Sequence, residues 1–288
     1  MLVGGGSIAS AIAGKLIEAG WNRARFHVIE PNATQAARIS GAFNFPTTPN
    51  FSAAPSDFDV VIWAVKPQVL KDAVKASRKA CKCGFHISVA AGISIASLKL
   101  MLGTAEVVRA MPNMAMSFRR GVTGLLAADG ISDFNRQWAH EIFSAVGQVL
   151  WVKSDTDMDV VTAVSGSGPA YIFNALEAFE RAAIDCGIPP DHARDFVLQV
   201  AEGAVLQARN SGTPFGDLRA RVTSKNGTTE AALNVFGQSK LSETFVCAIA
   251  AARGRAAELA AETEIHNLKC ASYEQTQSLQ LQLHARDP

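Results

Sequence analysis

Four short stretches carry residue types that could hold a dinucleotide or a small carboxylate. The first is Gly4-Gly5-Gly6-Ser7-Ile8-Ala9, which fits G-x-G-x-x-[GA]. The first glycine permits a tight turn, and the second lets a pyrophosphate approach the backbone. Ala9 allows the following helix to pack close, and the phosphates then meet the helix N-terminus. Met1-Leu2-Val3 lead into the glycines as a short apolar strand. Glu30 ends the next apolar run, near the ~20-residue spacing at which a carboxylate meets the ribose. A carboxylate there accepts from a ribose 2′-hydroxyl and repels a 2′-phosphate, which leans towards NAD over NADP.

The second signal is Ala64-Val65-Lys66-Pro67, directly after the apolar run Asp59 to Val65. Ser88-Val89-Ala90-Ala91-Gly92 ends the next run in the same way. Ligands bind at the carboxyl ends of strands in open α/β sheets, and small residues there let a flat ring approach. The bland reading of each is a tight strand-to-helix turn. The third signal, Ala163 to Tyr171 (AVSGSGPAY), reads as a sharp helix–helix corner with Pro169 opening a helix. The fourth, Arg221 to Leu233 (RVTSKNGTTEAAL), is a polar loop opening onto a helix. Its amides could hold a carboxylate and its hydroxyls could bond a substrate. The competing reading is an ordinary capped helix start supplied by Thr228 or Thr229 with Glu230.

The elements that must position these stretches alternate in the first half. Strands are expected at Phe26 to Glu30, Asp59 to Val65, Phe85 to Val89 and Glu106 to Met111. Helices are expected at Ser7 to Ala19, Ala33 to Ser40, Gln68 to Ala80 and Ser94 to Leu102. Ile8, Ile12 and Leu16 share one helical face. Nearly all-apolar strands between helices imply a parallel sheet covered on both faces. Past Val152 the pattern turns wholly helical: Ala170 to Cys186, Asp191 to Ser211, Thr229 to Phe236 and Ser242 to Glu264. The expected organisation is a Rossmann-type α/β dinucleotide-binding domain over 1–152, an all-α domain over 153–265, and a polar, loosely ordered tail over 266–288.

Composition narrows the function classes. The chain has 288 residues, 48% of them apolar and 18% charged, enough for a sizeable core and too few charges for a disordered chain. Its 27 basic and 26 acidic residues leave a net charge of +1, which gives no electrostatic footprint for nucleic acid. The apolar run Phe245 to Ala252 is far short of the ~20 residues a membrane span needs. A cytoplasmic protein is expected, with no membrane or nucleic-acid partner. Cys81-Lys82-Cys83 with His86 lacks the C-x-x-C spacing of a metal site, so no metal is expected.

These motifs, in this order, resemble the pyrroline-5-carboxylate reductase family over roughly residues 1 to 260. Arg109-Ala110-Met111-Pro112-Asn113, Gly121-Val122-Thr123-Gly124 and above all the loop from Val222 to Leu233 carry the resemblance. It implies hydride transfer from NADPH or NADH to the C=N bond of 1-pyrroline-5-carboxylate, giving L-proline. It also implies a homodimer built by the helical domain, with larger rings of dimers in some members. The cofactor would be held by Val3, Gly4, Gly6, Ser7, Ile8 and Glu30, with Ala64, Val65, Lys66, Pro67, Val89, Ala90 and Ala91 lining it. Ser224, Gly227, Thr228 and Thr229 would hold the substrate, with the catalytic Thr229 hydroxyl facing the ring nitrogen. Three positions depart from the family pattern. Lys225-Asn226 stand where Pro-Gly is common, Ser7 where Asn or Gln is common, and Glu30-Pro31-Asn32 lacks the Arg that often meets a 2′-phosphate. Asn tolerates a left-handed backbone, which would preserve the turn. Two other readings are a non-catalytic NAD(P)-sensing dimer and a related imine reductase with another substrate. A β-hydroxy acid reductase is disfavoured, because Ala170 to Cys186 contains no Lys.

Overall fold

The structure is a computed structural model that describes the backbone of residues 1–78 and 80–284 and side chains as far as Thr263. The chain folds as two units, Met1–Gly166 with Arg253–Pro288, and Ser167–Ala252.

In the first unit strands and helices alternate: β1 (Leu2–Val3), α1 (Ser7–Glu18), β2 (Val28–Ile29), α2 (Ala33–Phe43), β3 (Thr47–Thr48), β4 (Val60–Trp63), α3 (Pro67–Ser77) and β5 (Phe85–Ser88). Then follow α4 (Ile95–Leu102), β6 (Val107–Met111), β7 (Gly121–Ala127), α5 (Asp133–Ser144), β8 (Gly147–Trp151) and α6 (Asp155–Val161). The eight strands form one sheet in the order β3-β2-β1-β4-β5-β6-β7-β8. Pairs from β3 through to β6 are parallel, which requires the crossover helices seen between them.

Successive strand residues point to opposite faces, and the core follows that period. Leu2, Val28, Ile62 and Ile87 pack with Ile12 and Leu16 of α1 and Phe143 of α5. Val3, Ile29, Val61 and Trp63 pack on the other face with Leu70 of α3 and Leu98 of α4. The expected sheet covered on both faces is therefore present. One detail corrects the expectation of a wholly parallel sheet: β6 and β7 are antiparallel, while β7 and β8 are parallel again. The short connection from Met111 to Gly121 explains the reversal, since a parallel return needs a crossover of a dozen or more residues.

The change of pattern near residue 152 and the boundary between the units at Gly166 do not coincide. The reason is packing of α6: Met158 and Val161 pack with Leu126 of β7. Asp155, the first residue of α6, pairs with Arg109 of β6, whose side chain is only 3% exposed. The stretch between the two positions is thereby tied to the sheet.

The second unit holds α7 (Gly168–Asp185), α8 (Pro190–Ser211), α9 (Phe215–Arg221), α10 (Thr228–Gln238) and the start of α11 (Leu241–His284). Pro169 and Pro190 stand in the first turns of α7 and α8, where a missing N–H costs nothing. Among the described residues α7 buries no side chain, and α8 buries Ala193 and Val197. Phe173 (68%), Phe215 (81%) and Val246 (69%) stand in water in the isolated chain. Helix α11 runs beyond the expected end at Glu264. The polar tail expected over 266–288 lies outside the residues whose side chains are described.

Candidate functional site

The glycine loop is built by backbone constraints. Gly4 follows β1 and donates to Ile29 O at 2.8 Å, while Ala64 N–H donates to Val3 O at 2.8 Å. The turn puts Gly4 at φ +96°, and a Cβ there would lie 2.5 Å from Ala64 O. Only glycine meets both conditions. Gly6 is the N-cap of α1, with extended backbone, no side-chain cap and no acidic residue in the first turn. A Cβ on Gly6 would meet nothing within 4 Å. The loop therefore presents open space above Gly6 and the amide end of a helix, with Ser7 and Ile8 as its first two residues. An anion at that place accepts N–H bonds and meets the positive end of the helix dipole. These residues fit a dinucleotide pyrophosphate.

Glu30 follows β2 directly, and its carboxylate bonds back to the loop. Gly5 N–H donates to Oε2 at 2.8 Å, and Asn32 N–H donates to Oε1 at 2.9 Å. Asn32 and Gln35, the latter not singled out from sequence, complete this corner. Asn32 caps α2 by accepting from Gln35 N–H at 3.0 Å, and Gln35 Nε2–H donates to Gly5 O. The Asn32-x-x-Gln35 spacing is a capping-box signal, yet only its Asn32 half forms, since Asn32 N–H goes to Glu30 and the Gln35 amide to Gly5 O.

The strand ends lie beside this loop as expected. β1, β4 and β5 are parallel neighbours, so Val3, Ala64 and Val89 leave the sheet at one edge. Val89 N–H donates to Trp63 O at 3.0 Å, and Ala90 N–H to the buried Ser88 hydroxyl at 3.3 Å. Lys66 is the N-cap of α3, Pro67 its first residue, and Ala64 and Val65 are half-buried between strand and helix. Ala91 is exposed at the same edge. This is the crevice beside the reversal of strand order at β1 and β4, where dinucleotides bind in this architecture.

Arg109, Asp155 and Asn113 brace the same unit. The Asp155 carboxylate takes the Arg109 guanidinium and the Ile95 N–H at 3.2 Å, at the start of α4. Asn113 donates to Ser165 O at 3.0 Å and accepts from Val122 N–H at 3.2 Å. Residues Thr162–Gly166 form a π-helical turn, so the Ser-Gly stretch read as a corner is a widened helix end held by Asn113. Such turns occur mostly as single insertions near functional sites.

No group of three or more His, Cys, Asp or Glu residues suited to a metal ion occurs among the described residues. Burial pushes the Cys81 thiol up to about 11, so it is a thiol and a poor ligand. His86 is buried between strands, accepts from Trp63 Nε1–H at 3.3 Å, and is held neutral with its pKa lowered to about 4 by desolvation.

In the second unit, Ser224 to Thr229 form a tight loop into α10. Asn226 adopts φ +58°, the left-handed conformation that asparagine tolerates. Gly227 N–H donates to Ser224 O at 3.0 Å, and a Cβ on Gly227 would fall 2.2 Å from Ser224 Oγ. The capping reading is corrected here. Gly227 is the N-cap, and neither Thr228 nor Thr229 caps the helix by its side chain. Glu230 accepts from Asn226 N–H at 2.6 Å, which ties the turn to the first turn of the helix. Thr228 and Thr229 are the first two residues of α10, so their hydroxyls stand at its amide end, without serving as caps.

Both halves of the chain match known families. Residues 155–259 match the family described as pyrroline-5-carboxylate reductase dimerisation. Residues 1–92 match that described as NADP oxidoreductase coenzyme F420-dependent. The pyrroline-5-carboxylate reductase of Pseudomonas aeruginosa is 39% identical over 260 residues, covering 90% of this chain and 95% of that one. The chain belongs to the pyrroline-5-carboxylate reductase family. The solved pyrroline-5-carboxylate reductase of Coxiella burnetii is 34% identical, covers 90% of this chain and 97% of its own, and superposes with a TM-score of 0.82. The Plasmodium falciparum pyrroline carboxylate reductase, solved with NADP bound, shares the fold at a TM-score of 0.77, with 22% identity over 90% of this chain and 97% of its own. The family's dimerisation match spans the whole of the helical unit, where Phe173, Phe215 and Val246 are among the apolar side chains exposed in the single chain. The reductase of this chain is accordingly a homo-oligomer. Among the described residues no helix is long and apolar enough to cross a membrane.

Proposed function

We propose that the protein reduces the C=N bond of 1-pyrroline-5-carboxylate to L-proline, using NADPH or NADH. The observation that carries the reading is the loop Ser224 to Thr229, with its left-handed Asn226 and a helix start free of side-chain caps, in a chain of this family. The reduced nicotinamide supplies a hydride to the imine carbon. Val3 to Ile8, Ala64 to Pro67 and Val89 to Ala91 bind and orient that cofactor. The amides at the start of α10, with Ser224, Gly227 and Thr228, hold the substrate carboxylate against the helix dipole. The Thr229 hydroxyl orients the ring nitrogen, where a proton completes the amine. A protonated imine is already electrophilic, so alignment is the main demand, and it can supply roughly 7–11 kcal/mol.

The test is direct. Purified protein mixed with 1-pyrroline-5-carboxylate should oxidise NADPH or NADH and form proline in equal amount. Absence of turnover with both cofactors removes the reading. The compartment we propose is the cytoplasm, which contains both nicotinamide cofactors.

The assembly we propose is a dimer through the helical domain. Burying Phe173, Phe179, Val235 and Val246 against a second copy supplies about 25 cal/mol for each Å² of apolar surface removed from water. Light scattering should give twice the 30.5 kDa of one chain, or an even multiple if dimers close into a ring. A mass of one chain at micromolar concentration contradicts this assembly.

A further inference from the structure

We infer that Glu30 makes the chain select a dinucleotide with a free 2′-hydroxyl, NADH, over one carrying a 2′-phosphate, NADPH. The inference deepens the reductase reading and rests on it. Four features carry it. First, Glu30 stands at the carboxyl end of β2, beside the glycine loop, where the adenosine ribose of a dinucleotide rests in this architecture. Second, its carboxylate is fixed. One oxygen accepts from Gly5 N–H at 2.8 Å and the other from Asn32 N–H at 2.9 Å. Swinging the side chain away would strip both amides of their acceptor. Each oxygen still has a free lone pair for a hydroxyl donor.

Third, the glycine loop packs directly on this side chain. A Cβ on Gly5 would come within 3.3 Å of both Cγ and Oε2 of Glu30. A ligand group entering along the loop meets the carboxylate at short range. Fourth, the stretch that follows β2 supplies no cation to offset a phosphate. Glu30 to Gln35 reads E-P-N-A-T-Q, with no Lys or Arg. Asn32 Oδ1 caps Gln35 N–H and the Gln35 amide bonds Gly5 O, so what this corner can still offer a ligand is neutral donors alone. A 2′-phosphate would set a dianion against a fixed carboxylate, whereas a 2′-hydroxyl would donate to it.

The experiment reads binding without turnover. Titration calorimetry would compare ADP-ribose with 2′-phospho-ADP-ribose on the full-length protein at one ionic strength. ADP-ribose should bind at least about tenfold more tightly, which is ~1.4 kcal/mol. Glu30→Gln keeps the shape and one acceptor oxygen but loses the charge. It should bring the two affinities to within about threefold, chiefly by tightening the phosphorylated ligand. A merely structural role would weaken both ligands together. Glu30→Ser, with its melting curve recorded, gives the same comparison without the long side chain. Equal or tighter binding of 2′-phospho-ADP-ribose by the unaltered protein overturns the inference. So does an unchanged ratio in Glu30→Gln, or failure of both ligands to bind. If ADP-ribose is selected but pyrroline-5-carboxylate is not reduced, the reductase reading fails while the selectivity stands. If NADPH is the better reductant and its fragment the tighter ligand, the selectivity fails while the reductase stands.

Discussion

Thr229→Ala should lower kcat by about a hundredfold, the lower range for losing a group that handles a proton or orients the reacting atom. The same change should leave the melting temperature nearly unmoved. The reason lies in the start of α10. Gly227, not a threonine, is the N-cap, and the Thr229 hydroxyl serves no cap. Removing it therefore strips no backbone N–H of its acceptor, and alanine is the better helix former. KM for pyrroline-5-carboxylate should rise much less than kcat falls, because in the proposed site the carboxylate is held by the amides before Thr229. Thr229→Ser retains the hydroxyl and should recover most of the rate. Turnover of the alanine variant equal to the unaltered protein removes Thr229 from the mechanism.

The second large effect is at Gly4. A methyl group there lies 2.5 Å from Ala64 O and 3.0 Å from Ala64 C, and both are main chain. Neither can give way as a flexible side-chain tip could. The left-handed φ of +96° adds strain of roughly 1–2 kcal/mol for any residue with a Cβ. The loop must shift, and the sites that bond Ala64 to Val3 and Gly4 to Ile29 shift with it. Gly4→Ala should weaken cofactor binding at least about a hundredfold and lower stability by about 2 kcal/mol. Gly6→Ala is the matched control. Its backbone is of ordinary extended type and its Cβ meets nothing within 4 Å. It should melt like the unaltered protein yet bind cofactor poorly, because the methyl would enter the space proposed for the pyrophosphate. Cofactor fluorescence titration beside a melting curve separates the two. Normal cofactor binding by both variants would place the cofactor elsewhere.

What could be read in the sequence was whatever short-range pattern dictates. Glycine spacing located the loop at Gly4 to Ile8, because Gly4 answers a local backbone demand while Gly6 leaves open space at the helix start. Apolar runs located β4 and β5 and hence the edge at Ala64 to Pro67 and Val89 to Ala91. β7 and β8 were not read as strands. Gly121, Gly124 and Gly147 break up their apolar runs, and pairing with neighbours holds them in the sheet where propensity does not. Bonds between distant positions were equally silent. Nothing in the neighbourhood of Glu30 announces that it reaches Gly5, nor does Asp155 show in its own stretch that it meets Arg109. The start of α10 looked capped because two threonines stand where caps often do. The left-handed turn at Asn226 moved the cap to Gly227, one residue ahead of them.

If the proposed dimer covers the water-facing aromatic side chains of the helical unit, dilution becomes a form of denaturant. In the proposed dimer, a unit whose α7 buries no side chain of its own takes its interior from a second copy. Its melting point then climbs with protein concentration, by mass action, and has no single value. The amount of protein a cell makes would thus set not only how much enzyme it has but what fraction of each molecule's helical half is folded.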